Sequence, residues 1–306
     1  SRRRATPCGA HDVCAATPIW PAGHRAALCL TFDVTAPNWE AYGVSDDDRY
    51  LLAQTAYEPA GLARILDLLA DLSVQATFCW DGQAARLHSA LVQRAVAEGH
   101  EIALRSSGRQ SDEQLSVEDV RQGMREVFDT LTGLGEATPT GYKTAGGRAM
   151  STTYAAAQEL GLTWVMGEPV GDLPVLQRPG SPPSLVAHSE PDPERPPLVH
   201  LPCSWFNDDC TLFVRRFLTP NQVYEVWREE FDVIRAEGKL MCLSLHPFVI
   251  GRPGLSRALA RFIDDVIDQG DVWIARAEYI ARWWLERERD IERRLADDAS
   301  DGRELR

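Results

Sequence analysis

Short apolar runs alternate with amphipathic helical stretches along almost the whole chain, one pair roughly every 30–40 residues, and such alternation builds a parallel sheet with helices packed outside it. Strand-like runs are predicted at 26–33, 74–79, 101–105, 139–143, 162–166, 198–202, 240–245 and 272–274. Helices are predicted at 58–72, 89–98, from 116 onward, and at 152–160, 221–236, 255–267 and 278–288. In 58–72 the residues Leu62, Ile65, Leu66, Leu69 and Leu72 share one face, and in 221–236 Val223, Val226, Trp227, Phe231 and Ile234 are expected inward. About seven such units within 306 residues suit a closed or nearly closed barrel better than an open sheet. The expected layout is an arm over 1–24, a single (β/α) barrel domain over 25–288 and a charged tail over 289–306, helical and then frayed. The proline-rich stretch 169–197 is the least regular part.

The first strand sets the chemistry. Leu28-Cys29-Leu30-Thr31-Phe32-Asp33 runs apolar into a carboxylate. A charge at the end of a buried strand needs a partner or a task. In parallel sheets the mouth at the strand C-termini is where ligands bind.

Charge and motifs exclude several classes. A formal net charge of −13 argues against nucleic acid or an anionic membrane as partner. No apolar run is long enough to span a bilayer, and the polar N-terminal stretch lacks the apolar core of a signal peptide. A cytoplasmic location is therefore the expectation. No G-x-G-x-x-G or P-loop is present to bind a nucleotide. Seven cysteines include Cys29, Cys79, Cys203 and Cys242 in apolar runs, which reads as free buried thiols; Cys8 and Cys14 in the polar arm are an alternative pair.

The residues just beyond the strands are Asp33 with Thr35, Cys79 with Trp80, Arg105, Lys143, Glu168, Trp205 with Asp208 and Asp209, and His246. In a βα barrel all of these face one mouth. Each alone reads equally well as an ordinary loop residue. As a set they bring a carboxylate, an imidazole, cations and indoles to one place.

The order of short motifs resembles the polysaccharide deacetylase family, whose fold is the NodB-type barrel. The motifs are Thr31-Phe32-Asp33, Ala76-Thr77-Phe78, Gly99-His100-Glu101-Ile102, Gly141-Tyr142-Lys143, Leu201-Pro202-Cys203-Ser204-Trp205, His246-Pro247 and Gly270-Asp271-Val272-Trp273-Ile274. The resemblance covers about 20–284 and is closest to the intracellular branch with peptidoglycan-deacetylase-like and allantoinase-like members. It implies a distorted (β/α) barrel of about seven parallel strands and hydrolysis of an amide bond by a divalent metal. It also implies Asp33 as base and His246 as general acid.

The chain departs from that family at the metal. The metal-binding aspartate position holds Val34 and Thr35, and the histidine pair falls on Arg105 and Arg109. A guanidinium keeps its proton and does not ligate a cation. The expectation is therefore no metal and no cofactor. Lys143 stands where the family carries an arginine, with Arg148 just beyond. The residues expected to bind substrate are Arg105, Arg109, Lys143, Arg148, Trp80, Trp205 and Asp209, around an anionic small molecule. Three functions stay open: a metal-independent hydrolase of a C–N bond in an amide, ureide or cyclic imide; a lyase, isomerase or cyclase; or an inactive ligand-binding homologue. A homo-oligomer is left open as well.

Overall fold

A computed structural model describes residues 19–36, 56–106, 112–134, 138–145, 149–168, 171–177 and 197–300. Arg109, Arg148, Cys8, Cys14, and most of the 169–197 stretch lie outside the described residues.

A single curled sheet carries the molecule. Its strands are β1 (Ala26–Val34), β2 (Thr77–Trp80), β3 (Glu101–Arg105), β4 (Gly141–Lys143), β5 (Trp164–Gly167), β6 (Val175–Gln177), β7 (Leu198–Pro202), β8 (Leu240–Leu245) and β9 (Val272–Ile274). The order is β6-β7-β5-β4-β3-β2-β1-β8, with β9 paired to the start of β1. Every described pairing is parallel except β6 on β7. Among the described residues the edges β6 and β8 do not pair directly. Near the strand starts Leu240 N–H donates to Asp172 O at 3.0 Å, and at the strand ends Asp208 makes an isolated parallel bridge to Ser244. The result is a distorted half-barrel: the strand–helix alternation and the parallel sheet are as predicted, the closure is less complete than the closed or nearly closed barrel expected from it, and the antiparallel β6 is an addition that the proline-rich surroundings concealed.

Strand parity sorts β1 into two layers. Leu28, Leu30, Phe32 and Val34 pack outward against the helices, together with Phe78, Trp80 and Leu104. Ala27 and Cys29 face inward with Cys79, Ala103 and Met166. Thr31 and Asp33 share the inward parity, so they top this inner column.

The helices are α1 (Glu58–Asp71), α2 (Gly82–Leu87), α3 (Ser89–Ala97), α4 (Val117–Leu134), α5 (Ser151–Glu159), α6 (Pro220–Glu237), α7 (Pro247–Ile250), α8 (Pro253–Asp268) and α9 (Ala277–Ser300). In α1 the residues Leu62, Ile65, Leu66 and Leu69 are fully buried, each worth roughly 1.5–3 kcal/mol of burial. In α6 Val223, Trp227, Phe231 and Ile234 are buried, but Val226 is 36% exposed and belongs to the solvent side. Thr219 and Gln222 close a capping box at the start of α6, and Gly238 ends it in the left-handed conformation. The last helix runs without a break from the domain into the expected tail, to Ser300.

One contact brings α1 against the turn after β8. A Cβ on Gly61 would overlap the Pro247 carbonyl, and one on Gly251 would overlap Gly61 itself. Backbone therefore rests on backbone there. Gly61→Ala is expected to destabilise the fold by about 1–3 kcal/mol through overpacking, read as a lower denaturant midpoint at unchanged slope. An unchanged midpoint would show that the contact relaxes freely.

Candidate active site

Asp33 is the second-to-last residue of β1 and is 3% exposed. Parallel register sets it opposite Cys79 of β2 and two residues past Thr31, whose neighbour on β8 is Ser244. From across the barrel comes Lys143, the last residue of β4. Its Nζ lies 2.8 Å from Asp33 Oδ1, 2.9 Å from Thr31 Oγ1 and 3.0 Å from Ser244 Oγ. Three oxygens match the three N–H donors of an ammonium. Arg105, the last residue of β3, brings Nε to 3.1 Å from the other carboxylate oxygen, Oδ2. Burial alone would push the Asp33 pKa up, but Lys143 and Arg105 outweigh it and hold the carboxyl well below the usual range.

His246 follows β8 directly. Its Nδ1 lies 2.7 Å from Asp209 Oδ1, and its backbone N–H donates to Asp209 Oδ2 at 2.9 Å. This double contact fixes the ring and leaves Nε2 3.8 Å from Asp33 Oδ2. Burial disfavours the imidazolium, yet Cys210 and Asp209 more than offset this and raise the His246 pKa well above its ordinary value. Asp208 stands 3.9 Å from Nδ1 and caps Thr211 N–H at 2.7 Å. These two aspartates enter a single π-helical turn, Cys210–Arg215, a form that often marks functional segments. The site is thus a buried carboxylate clasped by two cations, beside an imidazolium steadied by a second buried carboxylate.

Three expected substrate contacts take other places. Trp80 does not face the mouth: the strand runs one residue further than predicted, Trp80 pairs beside Val34, and the ring is fully buried in the sheet–helix layer. Lys143, 3% exposed, already has its three partners and acts as a brace for Asp33. Asp209 is fully buried behind His246. Arg105 keeps an opening to the mouth, with 13% of its side chain exposed. Trp205 sits at the rim, half exposed, stacked on Phe206 at 4.0 Å with the Arg216 guanidinium 5.9 Å above its ring.

Sequence reasoning missed Thr31, Ser244 and Glu58. The first two did carry a signal, as lone hydroxyls at inward parity in otherwise apolar runs.

The donor set around Asp33 does not suit a divalent cation. Both of its oxygens are engaged by cations. Val34 points into the outer core, and the Thr35 N–H is given to Glu58. Asp209, Cys210 and His246 bring ligand-type atoms within 4.8 Å of one another, but the Asp209 carboxylate is already committed to His246 at both oxygens.

The sequence profile of the family described as "Polysaccharide deacetylase" matches residues 24–165. Over that stretch the chain is similar to polysaccharide deacetylases. A deacetylase-type protein of Mycobacterium smegmatis, provisionally named as such, is similar in structure with a TM-score of 0.74 and 29% identity, over 87% of this chain and 93% of that one. Puue allantoinase gives 0.74 and 25% identity, over 88% and 93%. A curated relative in Schizosaccharomyces pombe, provisionally named a polysaccharide deacetylase, is 34% identical over 73 residues. That match spans 22% of this chain and 23% of the relative. Polysaccharide deacetylases and their allantoinase neighbours are hydrolases of C–N bonds on a distorted half-barrel. Among the described residues, no helix is long and apolar enough to cross a membrane.

Proposed function

We propose that this protein is a metal-independent hydrolase of a C–N bond in a small anionic amide, ureide or cyclic imide. The observation that carries the reading is the cation-clasped carboxylate, with both Asp33 oxygens held by Lys143 and Arg105. In this reading fixed positive charge does the work that a metal ion does in the family's chemistry. Arg105, partly open to the mouth, receives the oxyanion that develops as water adds to the carbonyl. As the guanidinium turns to the substrate, Asp33 loses one of its two cationic partners and regains the basicity to take a proton from water. His246, held protonated by Asp209, gives a proton to the departing nitrogen. The allantoinase among the structural neighbours favours a ureide over a polymer.

A second reading has one observation behind it. Asp33 is held so far below the usual carboxylate range that it is a weak base toward water, and the same groups suit proton transfer without hydrolysis, as in a lyase, isomerase or cyclase.

The test is turnover of allantoin, hydantoin and succinimide by protein treated exhaustively with a chelator, in ¹⁸O-labelled water. Undiminished hydrolysis with one labelled oxygen per product is the expected result. Stoichiometric zinc whose removal abolishes activity would overturn the metal-free reading. Turnover without label would favour the second one.

A further inference from the structure

Glu58 is a fully buried carboxylate at the first turn of α1 that the chemistry above does not use. Its Oε1 accepts the Thr35 N–H at 3.0 Å, and its Oε2 accepts the Phe248 N–H at 2.9 Å. Thr35 lies two residues beyond Asp33, and Phe248 lies two residues beyond His246. One rigid carboxylate therefore spans the segments that leave the two strands carrying the paired groups. The Gly61–Gly251 backbone contact presses the same helix onto the same turn. A methylene-shorter or amide side chain could not accept from both N–H groups at once.

We propose that Glu58 is a positioning residue that sets the spacing of Asp33 and His246 by clamping the backbone beyond each. The consequence for catalysis rests on the reading of Asp33 and His246 as a working pair; the clamp itself does not.

The surroundings make the clamp responsive to pH. Among the described residues no lysine or arginine pairs with Glu58. Burial pushes it up to about 8, against the pull of the Thr35 and Phe248 N–H groups and of His246. Asp81, which caps α2 and accepts Ala84 N–H and Ala36 N–H, adds to the rise. On the same helix Arg64 is turned away to the Tyr57 hydroxyl and the Gly251 carbonyl, and Arg252 lies over the Tyr57 ring. Around His246 stand Asp33, Asp208, Asp209 and Cys210. An ionised Glu58 accepts strongly at both oxygens; a protonated one accepts strongly at one. The clamp therefore tightens as Glu58 loses its proton.

The experiment is a pH titration by NMR of the intact protein with ¹⁵N-labelled backbone and ¹³C-labelled histidine rings. In the wild type the amide protons of Thr35 and Phe248 and the His246 ring are expected to share an inflection near pH 8. In Glu58→Gln the shared inflection disappears while circular dichroism is retained. Amides and ring without that inflection in the wild type, or with it intact in Glu58→Gln, would overturn the proposal. The wild-type titration decides by itself if the variant does not fold. For any of allantoin, hydantoin or succinimide that is turned over, Glu58→Gln lowers kcat at least ten-fold with KM within two-fold. The variant's kcat–pH profile lacks the wild-type change near pH 8. A clamp seen by NMR without turnover of that panel would count against the proposed chemistry and not against the clamp.

Discussion

Asp33→Asn is expected to abolish turnover and, independently, to destabilise the protein by about 3–5 kcal/mol. The two effects share one cause. The carboxylate is buried between Lys143 Nζ at 2.8 Å and Arg105 Nε at 3.1 Å, and an amide at that point leaves two buried cations without a counter-charge. Breaking a buried pair costs far more than the pair contributes, because the surviving charge stays desolvated. Asp33→Asn combined with Lys143→Met removes one of the stranded cations. It is expected to recover part of the stability and none of the activity, measured by denaturant midpoint and by turnover. Equal stability of Asp33→Asn and wild type would mean that the clasp contributes nothing to the fold. The pH dependence has a definite sign. The Asp33 pKa is depressed in the folded state, so its contribution is full above the unfolded carboxylate pKa near 3.9 and is lost only as pH falls toward the much lower folded value. Acid denaturation through this residue is therefore expected well below pH 4.

Asp209→Asn is expected to lower turnover by about 10²–10⁴-fold, the range attached to a positioned general acid or base. It replaces the charge at His246 Nδ1, 2.7 Å away, with a neutral group of the same shape. If the amide oxygen keeps the backbone N–H of His246, the amide NH2 faces Nδ1 and can only donate there, so the variant removes the charge and favours the neutral ring. In the wild type the imidazolium persists well above the ordinary histidine range. Its stabilising contribution is full below the unfolded pKa of about 6.5 and is lost as pH rises through the raised folded value. In the variant the basic limb of the rate profile should move to lower pH, and a histidine NMR titration should show the same displacement. An unmoved profile would remove Asp209 from the acid's support and leave it as a structural residue.

Asp33 and His246 were legible because each ends a buried apolar run, where an ionisable group has no cheap structural explanation. Arg105 was legible as a strand-end cation, but its partnership with Asp33 was not: their strands, β3 and β1, are separated in sequence by β2 and three helices and lie on either side of β2 in the sheet, so only the assembled sheet brings their ends together. Trp80 was misplaced for a related reason. With the strand continuing one residue further than predicted, alternation turns Trp80 opposite to Cys79, and the ring that was expected at the mouth faces the helices instead. Lys143 and Asp209 were identified as charged residues of the site, yet they serve Asp33 and His246 more than a ligand. Burial decides that distinction, and burial is a property of the folded half-barrel.

By itself the sequence determined the alternation of strands and helices, the polarity of the sheet, and the chemical types gathered at its C-terminal ends. Those follow from local periodicity and from the direction of the chain. The tertiary structure alone decided which charges pair. It folds Thr31, Lys143 and Ser244, residues from three strands more than a hundred positions apart, around one carboxylate. It also hides Glu58 in a helix start that reads as ordinary solvent-facing chemistry. An unpaired buried charge is so costly that the partners must be there; which residues supply them depends on closure of the half-barrel, and no local pattern records it.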